Sequence, residues 1–398
     1  MLNAPHDRRR FMTTLGLGLA TATVGCNKND SSQTQNSSRT QGTKAAKDPQ
    51  KAALEKFDTD FAAKTQGELN NQELVKVAND LFAQSAKAQR AKTETYSKEL
   101  IIELFNHAVL RTAQKLDPKV KDTQGAAVAL AKVGFLIEDF RKLGQVFTGT
   151  FNAVVPMKAG YTKEIVDLNS PEWSKLKRSL IDMGVWDQSK IAQAGKVEII
   201  DLNDPRSSMG GGITFMSELD DSSVDYAIVI NPSASANTKA VFARTTGQEP
   251  SNELMKQFLI ANEVGSLIYT DSIYSAYKKN IGTFDKDFGT YQSSYGLPPI
   301  TVNGVKLAEL AGDIASFDIH NPSVIMMLTN RSNRLAQYDL SNRVTMDAFL
   351  KSQGPQLIQQ GAANKDVYNA SVKDLPKMRA SFISNLKNYT QQIRNYKK

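Results

Sequence analysis

Apolar residues recur every three to four positions over long stretches of this chain and every second position over only a few short ones. The longest helical pattern runs from Ser251 to Lys279, SNELMKQFLIANEVGSLIYTDSIYSAYKK, where Leu254, Phe258, Ala261, Gly265, Ile268 and Tyr269 share a face. Pro250 and Ser251 followed by Glu253 supply its start signal, so a long buried helix is expected here. From Gln50 to about Gln145 the pattern predicts helix throughout, with Pro118 among the few breakers. Leu74, Val77, Ala78, Leu81 and Phe82 form one stripe; Ile101, Leu104, Phe105, Ala108, Val109 and Ala113 form a second; Val128, Ala131, Phe135, Ile137 and Phe140 form a third. Stripes of this kind pack into a small bundle or form a helical wall against a neighbouring layer.

Between Phe151 and Thr246 the pattern changes to short β-rich runs separated by Gly, Pro, Asn and Asp. Lys196 to Leu202, Ile213 to Met216 and Asp225 to Ile230 read as strands, with a helix expected over Pro171 to Met183. Asp204-Pro205 and Met209 to Gly212 read as turn or connection, because the glycine run lacks the lysine and spacing of a phosphate loop. Beyond the central helix, Phe284 to Pro299 is rich in Tyr, Phe and Gly. Helices are then expected over Val305 to Asp318 and Ser323 to Leu328. A last one carries Leu375, Met378, Phe382, Ile383, Leu386, Tyr389 and Ile393 on one face. That stripe fits packing on the body or an amphipathic helix on a membrane surface. The fold class expected is α+β and helix-rich: a helical N-terminal part, a small mixed sheet packed on a long central helix, and a helical C-terminal part.

Composition adds little to this picture, since 398 residues with 40% hydrophobic and 23% charged are ordinary for a globular protein. The N-terminus changes it more. Arg8, Arg9 and Arg10 precede Phe11-Met12 and a weakly apolar run from Thr13 to Gly25, too short to span a bilayer as a permanent helix. This start resembles the bacterial twin-arginine export signal, with Arg8 and Arg9 as the pair; an ordinary secretory signal with a basic start is the alternative. The run ends Thr23-Val24-Gly25-Cys26, similar to a lipoprotein processing box, although Thr23 stands where that box usually has Leu. Cys26 is the only cysteine in the chain, so it stands alone at the place where lipid attachment needs it and no disulfide can form within one chain. The Ser/Gln/Asn/Thr/Lys tract that follows has no apolar face and reads as a flexible tether. Asn27-Lys28 lacks the aspartate of the enterobacterial inner-membrane pattern, which favours the outer membrane.

Loss of residues 1 to 25 removes three arginines and one aspartate and lowers the formal charge from +8 to +6. That surplus suits acidic surfaces such as lipid headgroups or cell-wall polymers, and nucleic acid is not an expected partner of an exported chain. The expected organisation is a signal with the lipoprotein cysteine over 1–26, a tether over 27–52, a helical region over 53–150, an α/β core over 151–330 and C-terminal helices over 331–398.

In the middle of the central helix, Asn262-Glu263-Val264-Gly265-Ser266 has the outline of an HExxH zinc helix with a non-ligand at each histidine place. Two histidines one helical turn apart would point at one metal while the glutamate polarised its water. Here the ligand places hold Asn262 and Ser266, which bind zinc poorly, and Glu263 keeps the place of the general base. Downstream, Glu309-Leu310-Ala311-Gly312-Asp313 has the spacing ExxxD, with both carboxylates on one helix face. Together with the strand over Asp225 to Ile230, which precedes the central helix as the substrate-pairing edge strand does in that family, these pieces resemble the zincin metallopeptidases whose third ligand is a glutamate. The resemblance covers roughly Val224 to Asp318. It implies a zincin-like core in which Glu309 stands at the third-ligand place, Asp313 at the place that orients a histidine, and Glu263 is a vestigial base.

The resemblance also implies that no metal is held and no cofactor is used. The chain has three histidines, His6, His107 and His320, and His6 leaves with the signal. His107 has no second histidine or cysteine nearby and reads as structural or surface. Ser-x-x-Lys occurs at Ser174/Lys177, Ser275/Lys278 and Ser384/Lys387 without companion motifs, as chance gives in a chain of this composition. Asn262, Glu263, Glu309 and Asp313 would suit weak calcium binding or hydrogen bonding within the core. Tyr269, Tyr274, Tyr277, Tyr291 and Tyr295 would line a cleft or fill the core. Two functions stay open. One is a lipid-anchored envelope protein that binds a peptide, a protein or a cell-wall component without catalysis; the other is a metal-dependent hydrolase using Glu263 with an atypical metal site. If Cys26 is the acylated residue, Cys26→Ser moves the protein from the membrane fraction to the soluble one. Mass spectrometry of the parent finds the lipid on Cys26, and a variant that fractionates like the parent removes the anchor from this reading.

Overall fold

The outer edge of one helical layer is set by capping. Asn70 Oδ1 accepts the Glu73 N–H at 2.9 Å while the Asn70 N–H donates to Glu73 Oε2 at 3.0 Å, a reciprocal capping box that starts a 22-residue helix. In the computed structural model, the residues described are 49–92, 98–137, 154–156, 161–205, 211–220, 222–234, 239, 249–287, 301–302, 305–317, 319 and 375–395. The export signal with Arg8, Arg9 and Cys26, the tether up to residue 48, the aromatic-rich stretch over 288–300 with Tyr291 and Tyr295, and the helix expected over Ser323 to Leu328 lie outside them.

Among the described residues four helices come first: α1 (Pro49–Lys64), α2 (Asn71–Lys92), α3 (Lys98–Leu116) and α4 (Thr123–Lys132). The expected tether therefore gives way to helix by Pro49, within its last residues. The first two apolar stripes lie in α2 and α3 and are buried, apart from the half-buried Val77. The third does not stay helical. The Gly134 N–H bonds to Ala131 O at 3.1 Å with its own φ at +94°, ending the helix in a conformation that favours glycine. Phe135 and Ile137 belong instead to a short strand, β1 (Phe135–Ile137), antiparallel to β2 (Val154–Pro156). Phe140 lies outside the described residues.

A mixed four-stranded sheet follows: β3 (Thr162–Asp167), β4 (Lys196–Asp201), β5 (Gly211–Asp220) and β6 (Ser223–Asn231), in the order β3-β4-β6-β5. β4 and β6 are parallel, with Ile199 opposite Ile228 and Asp201 opposite Ile230, whereas β3 and β5 are antiparallel to their neighbours. Between β3 and β4 run a turn of 3-10 helix (Pro171–Trp173), α5 (Ser174–Asp182), another 3-10 turn (Trp186–Gln188) and α6 (Lys190–Ala194). After β6 come α7 (Asn252–Asp287), the small pair β7 (Thr301–Val302) and β8 (Val305–Lys306), α8 (Leu307–Phe317) and α9 (Leu375–Asn395). The architecture is α+β and helix-rich, with helices at both ends of the chain.

Because strand side chains alternate between faces, the sheet divides two cores. Ile200, Leu202, Phe215, Ala227 and Val229 pack with the N-terminal helices. Val197, Ile199, Val224, Ile228 and Ile230 pack with α5, α7, α8 and α9. Sheet strands covered on both sides read as nearly continuous apolar runs, which is how KVEIIDL and DYAIVI look in the sequence. The N-terminal helices are thus a wall on the sheet, fastened to it by Lys132 of α4 against Asp225 of β6.

At 36 residues and about 1.5 Å per residue, α7 spans roughly 54 Å. Ser251 Oγ accepts the Leu254 N–H at 3.1 Å at its start, and Met255, Phe258, Ile260, Ala261, Val264, Leu267, Ile268 and Ile273 are buried along it. Tyr269, Tyr274 and Tyr277 are core residues too. The Tyr269 hydroxyl lies 3.1 Å from Thr390 Oγ1 of α9, and burial pushes its phenol up. The last helix therefore packs on the body through Phe382, Ile383, Leu386, Tyr389 and Ile393. Among the described residues no helix is long and apolar enough to cross a membrane.

His107 has a place in the helical wall. Its ring stands edge-on to Phe57 at 5.8 Å, and its Nε2 lies 2.7 Å from Asp58 Oδ1 of α1. Arg111 grips the same carboxylate with two N–H groups, at 2.8 and 2.9 Å. Burial works to raise the Asp58 carboxyl, but the hydrogen bonds from Arg111 and His107 outweigh it and hold the carboxyl below its usual value. A carboxyl depressed on folding stabilises the folded state at every pH above its unfolded value, and that contribution fades as pH falls through the lowered one. Asp58→Asn is expected to lower stability at neutral pH by about 1 kcal/mol, because the site is partly solvated. In urea unfolding, the gap between parent and variant should close as the solution is acidified through the depressed carboxyl value.

Candidate functional site

The candidate site is built on the crossing of α7 and α8. A side chain at Gly265 would place its Cβ 2.6 Å from Ala315 Cβ, 3.0 Å from Ala311 O and 3.1 Å from Gly312 Cα. One at Gly312 would lie 2.4 Å from Ser266 Oγ and 2.5 Å from Asn262 O. The two backbones touch, so small residues are required on both helices at the crossing. This closeness brings the NEVGS segment against the ExxxD segment.

Across the crossing, Asn262 Nδ2 stands 3.3 Å from Asp313 Oδ1, a long hydrogen bond to a carboxylate that is 6% exposed. Ser266 Oγ donates to Ala308 O at 2.9 Å, within the first turn of α8. Glu309 is half-buried one turn before Asp313. Asn262 therefore meets Asp313, the two residues that the resemblance would pair as first ligand place and orienting acid. The second position is closed by a backbone carbonyl and by Gly312.

Glu263 leaves this group and turns to the sheet. Thr214 Oγ1 of β5 donates to Glu263 Oε2 at 2.7 Å. Gly212 of β5 lies under the carboxylate: a Cβ there would be 2.7 Å from both Glu263 Cγ and Oε1. Gly211 and Gly212, expected as part of a connection, are the first residues of β5 instead. A glycine is needed where the glutamate crosses the strand. Nothing in the sequence pattern marks Thr214 as the partner of Glu263, since their contact spans 49 positions and forms only when α7 lies on β5.

This donor set does not fit a zinc ion. The Ser266 hydroxyl proton is directed to Ala308 O, the amide nitrogen of Asn262 faces Asp313, and Glu263 is bound to Thr214. Among the described residues no three His, Cys, Asp or Glu side chains gather into a group that could hold a metal. His320 lies outside them.

A second polar group fastens the N-terminal end of α7. Lys256 Nζ lies 2.7 Å from Glu164 Oε2 of β3 and 3.6 Å from Asp201 Oδ2 at the end of β4. Burial works against the Lys256 charge, but the bond to Glu164 outweighs it and raises its proton affinity. Burial raises the Asp201 carboxyl despite Lys256 and despite the Asn203 N–H that Oδ1 accepts at 3.0 Å. Further along α7, the buried Asp271 Oδ2 accepts from Ser189 Oγ at 2.8 Å and from the Ile191 N–H at 3.2 Å, pinning α6.

No family model, curated protein or solved structure matches this chain.

Gly312→Ala is expected to force the helices apart and cost about 1–3 kcal/mol. Gly67→Ala, where nothing lies within 4 Å of the added methyl, should leave stability nearly unchanged. Chemical denaturation of the two variants checks this, and equal stabilities would mean that the crossing is not under steric control.

Proposed function

We propose that this chain is an exported, lipid-anchored protein of the bacterial cell envelope whose zincin-like core binds an extended peptide segment without cleaving it. The observation that carries this reading is the division of the NEVGS residues. Asn262 and Ser266, at the ligand places, are committed to hydrogen bonds with α8, while Glu263, at the base place, is directed to β5. The Asp313 bond to Asn262 supports the resemblance, because Asp313 meets the residue that a zincin would have as histidine.

Peptidases and their inactive relatives hold an extended chain by adding it as a strand to a sheet edge. The strand that the resemblance puts at that edge, β6, lies inside the sheet between β4 and β5; among the described residues it is β5 that borders the sheet on this side, pairing with β6 in unbroken register from Gly211 to Glu218 and shifting only between Glu218 and Asp220. β5 carries no proline or lysine, the residues that commonly guard an edge against added strands. Glu263, oriented by Thr214 and lying over Gly212, places a carboxylate beside the start of this strand. Main-chain pairing supplies affinity, and the carboxylate favours a basic group on the ligand.

The test uses peptides enriched from a random display library on the purified Cys26→Ser protein. Methylation of alternate backbone amides in an enriched peptide should abolish strand addition. Glu263→Gln should weaken binding by about tenfold, the equivalent of one charged hydrogen bond. Enriched peptides indifferent to both changes would sink the strand-addition reading. Mass spectrometry of the same peptides after incubation with the protein and added zinc separates the rival hydrolase: specific cleavage lost in Glu263→Gln makes the protein an enzyme.

A further inference from the structure

The face of α5 that points away from the core carries two basic side chains and one large apolar one. Leu176, Ser179 and Leu180 are buried inward, and Trp173 and Met183 extend that buried side at each end. Lys175, Arg178 and Ile181 remain exposed at helical spacing on the other side. Ile181 is 51% exposed and, with Ile165, one of two large apolar side chains that stand out in this way among the described residues. Lys177 lies beside them with its ammonium 4.8 Å from the centre of the half-buried Trp186 ring and 2.8 Å from Asn169 Oδ1. Across the turn at Gly184, where an added Cβ would lie 3.8 Å from Lys387 Cε, α9 contributes the exposed Lys387.

The acids in this region are Asp167, Glu172, Asp182 and Asp187. Asp182 is bound by Arg379 of α9 at 2.8 Å, and Asp167, beyond Asn169 on the Lys177 side, accepts the Asn169 N–H at 2.9 Å, so the outer face itself sets Lys175, Arg178 and Lys387 against Glu172. Cations therefore dominate the face, with one exposed isoleucine among them and a tryptophan at its border. Because the inner side of α5 is locked in the core, its outer side is a fixed platform rather than a helix free to turn its apolar face outward. A rigid basic platform with a single apolar contact matches a negatively charged, two-dimensional partner.

We propose that the outer face of α5, with Lys387 of α9, is where the folded body lies against an anionic phospholipid surface. The proposal does not depend on the lipid anchor or on peptide binding, and its test removes the anchor. The full chain carrying Cys26→Ser is sedimented with vesicles of phosphatidylcholine alone and of phosphatidylcholine with phosphatidylglycerol. Every variant is made in that same background, so residues outside the described fold contribute equally. Lys175→Glu with Arg178→Glu should reduce binding to the phosphatidylglycerol vesicles by about tenfold or more, and added salt should do the same. Ile181→Ser should weaken binding by a smaller factor that salt does not reproduce. All these side chains are exposed, so circular dichroism and thermal unfolding should match the background protein. As a charge-matched control, Lys119→Glu with Lys121→Glu, in the loop between α3 and α4, should bind as the background does. The proposal is overturned if binding does not depend on phosphatidylglycerol, if the α5 variant folds and binds undiminished, or if the control loses as much as the α5 variant.

Discussion

The contact on which this structure depends is the backbone-to-backbone approach of α7 and α8 at Gly265 and Gly312. Nothing larger than a hydrogen fits between them there. That closeness aligns residues 262 and 266 with 313 and 308, and it leaves Glu263, about a third of a turn away, no course but toward the sheet. The crossing is sealed by hydrogen bonds from the neutral Asn262 and Ser266 side chains to α8.

The rest of the molecule keeps α7 from shifting along that seam. Lys256 fixes its first turns to β3 and β4, Glu263 its middle to Thr214, and Lys278 a later turn to Glu218 of β5. Asp271 ties it to α6 and Tyr269 to α9. All but the exposed Lys278–Glu218 pair are at least partly sheltered, so charges and hydrogen bonds here define register more than they add stability. The stability comes from the two apolar layers on either side of the sheet.

What the sequence shows best is whatever depends on neighbours along the chain. Ser251 marks the start of α7, the period of α2 and α3 marks their buried faces, and KVEIIDL and DYAIVI mark β4 and β6, since each is a local pattern. Phe135 and Ile137 fit the spacing of the preceding helix, and only the left-handed turn at Gly134 diverts them into a strand. Gly211 and Gly212 look like linker because neither reason for glycine shows in the local pattern: Gly211 takes a φ of +102°, and Gly212 lies under the Glu263 side chain from about fifty positions away. His107 looks idle for the same reason, as Asp58 reaches it from another helix. Within the candidate site the spacing of NEVGS and ExxxD could be read, while the pairing of Asn262 with Asp313 and of Glu263 with Thr214 belongs to tertiary geometry.

The place of α9 has a consequence for how the chain reaches its fold. Thr390 meets Tyr269 across 121 positions, and Arg379 meets Asp182 across 197. Until α9 leaves the ribosome, Tyr269 and its apolar neighbours lack their cover, and the growing chain carries an open core on one side of the sheet. The N-terminal wall can assemble early from local contacts, but closure of the second layer waits for the synthesis of α9. A chain cut short before α9 would keep most of its secondary structure while exposing the surface that chaperones and proteases recognise.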